Sequence, residues 1–177
     1  MPKAKKFLYI ILYYMLVIVL VRVSQLVIRL LLSLSLLNVQ GPTQGSITLE
    51  ILGYYLALGI VSFLAYRRCA IKHPQVNYLS LLLFTGLVLM IHLLLIYYGS
   101  WAAILKTTSG GWQLTDFLHN GRAYMPDGGL LRFFFDLTLM PDDLRAQSIL
   151  LRDLIFLIAS TLGFYSAKVG RKIAIQI

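Results

Sequence analysis

Charged residues are scarce in this chain of 177 residues. Asp, Glu, Lys and Arg make up 13% of it, against about 25% in an ordinary soluble domain. Hydrophobic residues make up 59%. So little charge cannot cover a water-facing surface, which excludes a soluble globular protein, a disordered chain and a nucleic-acid-binding domain. The composition predicts an integral membrane protein.

Cysteine, histidine and cofactor motifs are also scarce. The single cysteine, Cys69, excludes a disulfide framework and any metal site that needs several thiolates. The three histidines lie in three different segments, and no Walker, Rossmann, HExxH or CxxC pattern occurs. We therefore expect neither a cofactor nor a metal. The sequence also lacks an Asn-x-Ser/Thr sequon, which agrees with a bacterial membrane.

Four apolar stretches are long enough to cross a bilayer. A helix needs about 20 mostly apolar residues to span a hydrocarbon core of ~30 Å. The predicted spans are residues 7–27, 47–66, 77–98 and 148–167. Leucine-rich sequence continues beyond the first span to Leu37, and Gly41-Pro42 then indicates a turn. The prediction is an all-α integral membrane protein, a four-transmembrane-helix bundle that forms a single membrane domain.

Positive charges set the expected orientation. The N-terminus, the loop after span two and the C-terminus carry nine cations and no acid: Lys3, Lys5, Lys6, Arg67, Arg68, Lys72, Lys168, Arg171 and Lys172. The segment between spans three and four carries both signs. The positive-inside rule therefore predicts that both termini are cytoplasmic, in the plasma or inner membrane of a bacterium. Anionic lipids are the expected partners of the basic ends, and nucleic acid is not.

Residues 99–147 form the extracytoplasmic segment between spans three and four. Within it, Leu130 to Met140 is apolar apart from a few polar residues, and Arg132 and Asp136 share one helical face. This stretch is too short to span a membrane and predicts an interfacial or re-entrant helix. Aromatic residues make the segment a candidate for docking a partner: Trp101, Trp112 and Tyr124.

Each predicted span also carries polar or titratable residues, which are costly in a bilayer and suggest a functional site. The candidate cluster consists of Arg22, Gln25, Glu50, His92, Arg152 and Asp153. Counting along the helices places these residues at similar depth. Arg29 continues the helical face of Arg22 and Gln25. Glu50 is expected in the first turn of span two, where it would complement the helix N-terminus.

Two interpretations of this cluster remain open. A functional cluster would bind an anion or a lipid headgroup, line a water-filled vestibule, or respond to pH through His92. A structural cluster would compensate charge, with Arg22 paired to Glu50 or Asp153 so that the spans hold together. Substitution by residues of similar volume separates the two, because only a functional cluster can lose activity while the folded protein persists.

Small residues at four-residue spacing indicate close helix packing. They are Gly53 and Ala57 on the second span and Ala159, Gly163 and Ala167 on the fourth. Small residues in such a ladder allow helices to pack closely, either within the chain or at a homo-oligomer interface. Packing within the chain is the default interpretation.

Two weaker constellations have catalytic residue types. Cys69 and His73 are four residues apart in a cytoplasmic loop, and Ser109, Asp116 and His119 lie in the outer segment. Ordinary loops commonly contain these residue types at similar spacing. We therefore predict no catalytic residue.

Three functions fit these features. The first is a non-enzymatic subunit that anchors, scaffolds or senses within a larger membrane complex of the secretion, envelope-biogenesis or phage-defence type. The second is an oligomeric channel or transporter with an arginine-containing vestibule. The third is a membrane-embedded enzyme that acts on a lipid-linked substrate.

Overall fold

The computed structural model describes residues 3–35, 44–104 and 146–176, and the side chains of residues 6–34, 48–97 and 147–169. The described residues form four helices: α1 Lys3–Ser35, α2 Gln44–Lys72, α3 Tyr78–Ile104 and α4 Ala146–Gln176. All four are long and apolar enough to cross a membrane. The predicted all-helical class and the four spanning helices are therefore confirmed over these residues.

The helices extend past the predicted spans. α1 runs unbroken to Ser35, so the leucine-rich continuation of the first span is helical. α2 begins at Gln44, which puts Glu50 in its second turn. The prediction that Glu50 lies in the first turn is therefore wrong, and its partner must be found elsewhere. The predicted short helix at 130–140 lies outside the described residues.

A five-residue connection between α2 and α3 is fixed by hydrogen bonds. The His73 N–H donates to the Cys69 carbonyl at 2.8 Å, and the Val76 N–H donates to the His73 carbonyl at 3.0 Å. Asn77 then caps α3, since its Oδ1 accepts a bond of 3.1 Å from the Ser80 N–H. An Asn in this position satisfies one of the amides left unpaired at a helix start.

The chain divides into two compact units, residues 1–81 with 155–177, and residues 82–154. In the first unit, aromatic contacts join α1, α2 and α4. The Phe156 ring packs edge-on against Tyr14, with centroids 5.2 Å apart, and against Tyr66 at 5.7 Å. The buried Tyr66 hydroxyl donates to the Ile10 carbonyl at 3.3 Å. In the second unit, α3 and α4 bury Phe84, Ile96 and Ile149.

The outward faces of the helices are apolar. Leu26 is 66% exposed, and many other leucines, isoleucines and valines are exposed to a similar degree. A soluble monomer rarely leaves so much contiguous apolar surface uncovered. This surface is the one expected of a multi-pass membrane protein, in which lipid or neighbouring subunits cover it.

Candidate functional site: polar groups within the apolar helices

The predicted polar residues of α1 and α2 are linked by hydrogen bonds within the first unit. Arg22 Nη1 donates to Gln25 Oε1 at 3.0 Å, and Gln25 Nε2 donates to Glu50 Oε1 at 3.3 Å. Arg29 forms an ion pair with the same Glu50 oxygen through its Nε. Gln25 is only 4% exposed and thus bridges the two charges from a buried position. We refer to these four residues as the α1–α2 polar ladder.

Helical spacing explains how α1 presents three of these side chains to α2. Arg22, Gln25 and Arg29 are separated by three and four residues, so they lie on one face of the helix. The ladder contains two cations and one anion, 2 − 1, a net charge of +1. The ion pair between Arg29 and Glu50 lies at the surface, because the Arg29 side chain is 46% exposed and the Glu50 side chain is 21% exposed.

The predicted polar residues of α3 and α4 meet in the second unit. His92 Nδ1 lies 2.7 Å from Asp153 Oδ2, and Arg152 donates to Asp153 Oδ1 through Nη2 at 2.7 Å and Nε at 3.2 Å. All three side chains are buried, His92 with 1% of its surface exposed. We refer to them as the α3–α4 triad. Because a carboxylate only accepts hydrogen bonds, Nδ1 must carry the proton in its contact with Asp153.

Nη2 of Arg152 lies over the face of the His92 ring. It is almost equidistant from the two ring nitrogens, 3.1 Å from Nδ1 and 3.2 Å from Nε2. An atom in the ring plane and equally close to both nitrogens would overlap the Cε1–H between them. Nη2 must therefore lie above the plane of the ring.

The charges of Arg152 and Asp153 balance each other. Arg152 supplies one positive charge and Asp153 one negative charge, and their side chains form a buried ion pair with Nη2 2.7 Å from Oδ1. The second oxygen of the same carboxylate holds the His92 ring in orientation through Nδ1.

The predicted packing residues lie at helix contacts. A Cβ on Gly163 would lie 2.2 Å from the Phe63 carbonyl oxygen, so α4 approaches the backbone of α2 at this point. A Cβ on Gly53 would lie 2.8 Å from Ile28 Cδ1 of α1. Ala167 is buried, and Ala57 and Ala159 are half-buried. These contacts are internal to the first unit.

The remaining sequence candidates fall in different places. Cys69 is buried, and the His73 ring stacks on Tyr9 with centroids 3.8 Å apart. Trp101 belongs to α3, and its side chain is not among those described. Several other candidates lie outside the described residues: Ser109, Trp112, Asp116, His119 and Tyr124.

Sequence reasoning missed two features of the site. The Tyr9–His73 stack joins residues 64 positions apart (73 − 9), and no local pattern indicates it. Arg29 was placed on the correct face of α1 but not included in the predicted cluster, although its three-and-four spacing with Gln25 and Arg22 marked it. Among the described residues, no group of His, Cys, Asp or Glu is arranged to hold a metal ion.

Comparison with known proteins gives no relative for this chain. No family model matches it, and neither a curated protein nor a solved structure is significantly similar to it.

Proposed function

We propose that this protein is a non-enzymatic, multi-pass subunit of a larger membrane complex, in which it anchors, scaffolds or senses. The observation that carries the proposal is the mutual pairing of its membrane-embedded polar groups. Glu50 is bound by Gln25 and Arg29, and Asp153 by His92 and Arg152. Polar groups engaged in this way join helices to one another, as a scaffold requires.

The same pairing weighs against the two alternatives. An anion-conducting vestibule needs arginines available to the ion, whereas Arg29 is paired with Glu50. An enzyme that used His92 would need a substrate within reach of the imidazole, and this ring is 1% exposed beneath Arg152. Flux through liposomes that contain the purified protein separates a pore from a scaffold.

The proposed topology places both termini in the cytoplasm of a bacterial cell and residues 99–147 outside its inner membrane. The acid-free basic ends support this orientation through the positive-inside rule. Single cysteines at positions 5 and 172, introduced in a Cys69→Ala background, should react with a membrane-impermeant maleimide only after the cells are opened. A cysteine at position 120 should react in intact cells. The reverse pattern would overturn the topology.

The proposed partner contacts the outer segment through Trp101, Trp112 and Tyr124, and a cytoplasmic partner with an acidic surface would suit the basic ends. A photocrosslinker at position 112 or 124 should capture one membrane protein in native cells, in fixed ratio with the chain. A crosslinker in place of Leu26, which is exposed and apolar, is the control. It should not capture the protein that binds the outer segment. A homogeneous, lone protein with its own conductance or turnover would disprove the subunit role.

A further inference from the structure

A cluster of polar and aromatic side chains lies where α1 begins and α2 ends. The Tyr9 ring stacks on the His73 imidazole, with centroids 3.8 Å apart and 17° between the planes. Tyr13, one turn further along α1, meets the same imidazole edge-on, with centroids 6.0 Å apart. Arg68 lies on α2, five residues before His73, and acts electrostatically on the Tyr13 hydroxyl. We refer to Tyr9, Tyr13, Arg68 and His73 as the α1–α2 end site.

The backbone holds the His73 ring in this position. The His73 N–H donates to the Cys69 carbonyl at 2.8 Å, and the His73 carbonyl accepts a bond of 3.0 Å from the Val76 N–H. Because both backbone groups are bonded and Tyr9 covers one face of the imidazole, the ring has a defined place beside α1. The site is thus preformed by α1, α2 and the connection that follows α2.

The Tyr13 hydroxyl lacks a hydrogen-bond partner among the residues that the structure describes, although Tyr13 is only 7% exposed. The His73 imidazole likewise forms no hydrogen bond to any of those residues. Tyr66, another buried tyrosine at this end, differs because its hydroxyl donates to the Ile10 carbonyl. A buried hydroxyl that loses its bonds to water and gains none in the protein is costly. The site therefore needs a further group to complete it.

The Tyr13 oxygen is also within reach of a ligand. Over the described side chains, the Ser62 hydroxyl is the one polar group that is fully enclosed and has no partner. The Tyr13 oxygen has no partner either but does not share this enclosure, so it keeps some accessible surface. The Tyr13 ring is thus buried while its oxygen lies at an opening, and Arg68 beside it is exposed.

The donors and charges of the site select an anion. A tyrosine hydroxyl, an imidazole N–H and a guanidinium can all donate hydrogen bonds, and the guanidinium of Arg68 is always positively charged. Glu50 is the only acidic residue before Asp116 in the sequence. It lies 18 residues (68 − 50) before Arg68 on α2, about 27 Å along the helix. Neither α1 nor α2 therefore offers a carboxylate at this end.

We propose that the α1–α2 end site binds a phosphate group, which accepts hydrogen bonds from Tyr13 and His73 and is neutralised by Arg68. A guanidinium suits phosphate because its planar fork pairs with two phosphate oxygens. Lipid headgroups and soluble phosphorylated molecules both carry this group. Tyr13 follows Lys6 by seven residues, about 10 Å, and helical side chains lean towards the N-terminus, so a headgroup at the membrane boundary is within range. This inference does not depend on the subunit role.

Native mass spectrometry of the delipidated full-length protein tests the proposal, with phosphatidylglycerol and its phosphate-free counterpart diacylglycerol as probes. Wild type should retain one phosphatidylglycerol per chain and bind diacylglycerol much more weakly. Tyr13→Phe and Arg68→Gln should each weaken phosphatidylglycerol retention about tenfold, the effect of one hydrogen bond to a charged group. The matched control Arg67→Gln removes the same charge from the adjacent residue and should change retention less than twofold.

Calorimetric titration with inorganic phosphate separates the two sources of the group. An affinity for inorganic phosphate that Tyr13→Phe weakens about tenfold assigns the site to a soluble phosphate. Retention of phosphatidylglycerol without measurable binding of inorganic phosphate assigns the site to a lipid headgroup. Both results support a phosphate site.

Melting temperatures without ligand establish that the variants fold. Because the Tyr13 hydroxyl has no bond to a described residue, Tyr13→Phe should melt at the wild-type temperature. Weaker binding by this variant then reports on the ligand and not on the fold. Equal retention of phosphatidylglycerol and diacylglycerol would overturn the proposal. So would wild-type retention in both Tyr13→Phe and Arg68→Gln, and water would then be the partner of the Tyr13 hydroxyl.

Discussion

His92 and Asp153 lie 61 positions apart in sequence, yet their Nδ1 and Oδ2 atoms are 2.7 Å apart between α3 and α4. Arg152 completes the contact by binding the same carboxylate and covering the imidazole. This arrangement concentrates two opposite charges and an oriented ring where little surface is exposed. Its contribution to the free energy of unfolding should exceed that of the more open pair between Arg29 and Glu50.

Isosteric neutralisation should distinguish the two polar sites. Asp153→Asn removes the negative charge that pairs with the buried Arg152, and we expect the free energy of unfolding to fall by about 3–5 kcal/mol. Glu50→Gln should cost less, because nearly half of the Arg29 side chain is exposed and its guanidinium can move towards the membrane interface when the carboxylate is neutralised. Unfolding in mixed micelles measures both changes. If both variants lose the same free energy of unfolding, burial does not determine how much each polar site contributes to stability.

Removal of both charges should restore most of the stability that removal of one takes away. Asp153→Leu alone removes the carboxylate that pairs with the buried Arg152, whereas the double change Arg152→Met and Asp153→Leu removes both charged groups and leaves His92 without its Asp153 acceptor. The remaining cost should be about 1–3 kcal/mol, that of one unsatisfied buried donor. The measurement is a double-mutant cycle on the unfolding free energy. A double variant less stable than Asp153→Leu would contradict the charge-balance argument.

Gly163 should tolerate no side chain. In Gly163→Ala the new Cβ would overlap the Phe63 carbonyl oxygen, so α2 and α4 must separate, and we expect a loss of about 1–3 kcal/mol. Gly86→Ala is the matched control, since its Cβ would meet no neighbour within 4 Å. Thermal unfolding in detergent compares the two. A wild-type melting temperature for Gly163→Ala would exclude the close approach.

Cys69 should resist alkylation in the folded protein. Its side chain is buried with 0% of its surface exposed, so a maleimide cannot reach the thiol without local opening of α2. Labelling of the wild-type protein should be slow in mild detergent and complete in a denaturant, as followed by intact mass. An Arg68→Cys, Cys69→Ala variant places a thiol on the exposed adjacent residue and should label at once. Rapid labelling of wild type would place Cys69 at the surface.

The Tyr66 hydroxyl should contribute a modest amount of stability. Tyr66→Phe removes its bond to the Ile10 carbonyl, and we expect a loss of about 0.5–1.5 kcal/mol. Tyr165→Phe is the control because Tyr165 is 65% exposed, and its effect should be within error of zero. If the two variants have the same free energy of unfolding, the hydrogen bond from Tyr66 to Ile10 does not stabilise the contact between α2 and α1.

The helices were the predictable part of this structure. A long apolar stretch forms a helix for local reasons, so the four spanning helices could be placed by counting residues, although all four extend beyond the predicted spans. The start of α2 at Gln44 was not foreseen, because polar residues at a helix end carry little hydropathy signal. Because α2 starts earlier than predicted, Glu50 lies in its second turn. There it contacts Gln25 and Arg29 of α1, and it does not complement the helix N-terminus.

The partners of the polar residues were only partly predictable. Spacing of three and four placed Arg22, Gln25 and Arg29 on one face of α1, since this relation lies within one helix. Whether Glu50 or Asp153 would meet that face depends on the rotation and register of different helices. These quantities are set by side-chain packing across helix contacts, such as Gly163 against Phe63, and hydropathy contains no information about them.

The sequence alone determined that four helices are apolar enough to cross a membrane and that nine cations without an acid occupy the predicted cytoplasmic segments, because composition and charge order are properties of the chain itself. Only the tertiary structure decided that Asp153 binds His92 and Arg152, and that α2 and α4 leave an apolar groove between them. Pairing and cavities arise between helices, where shape and register determine which atoms meet.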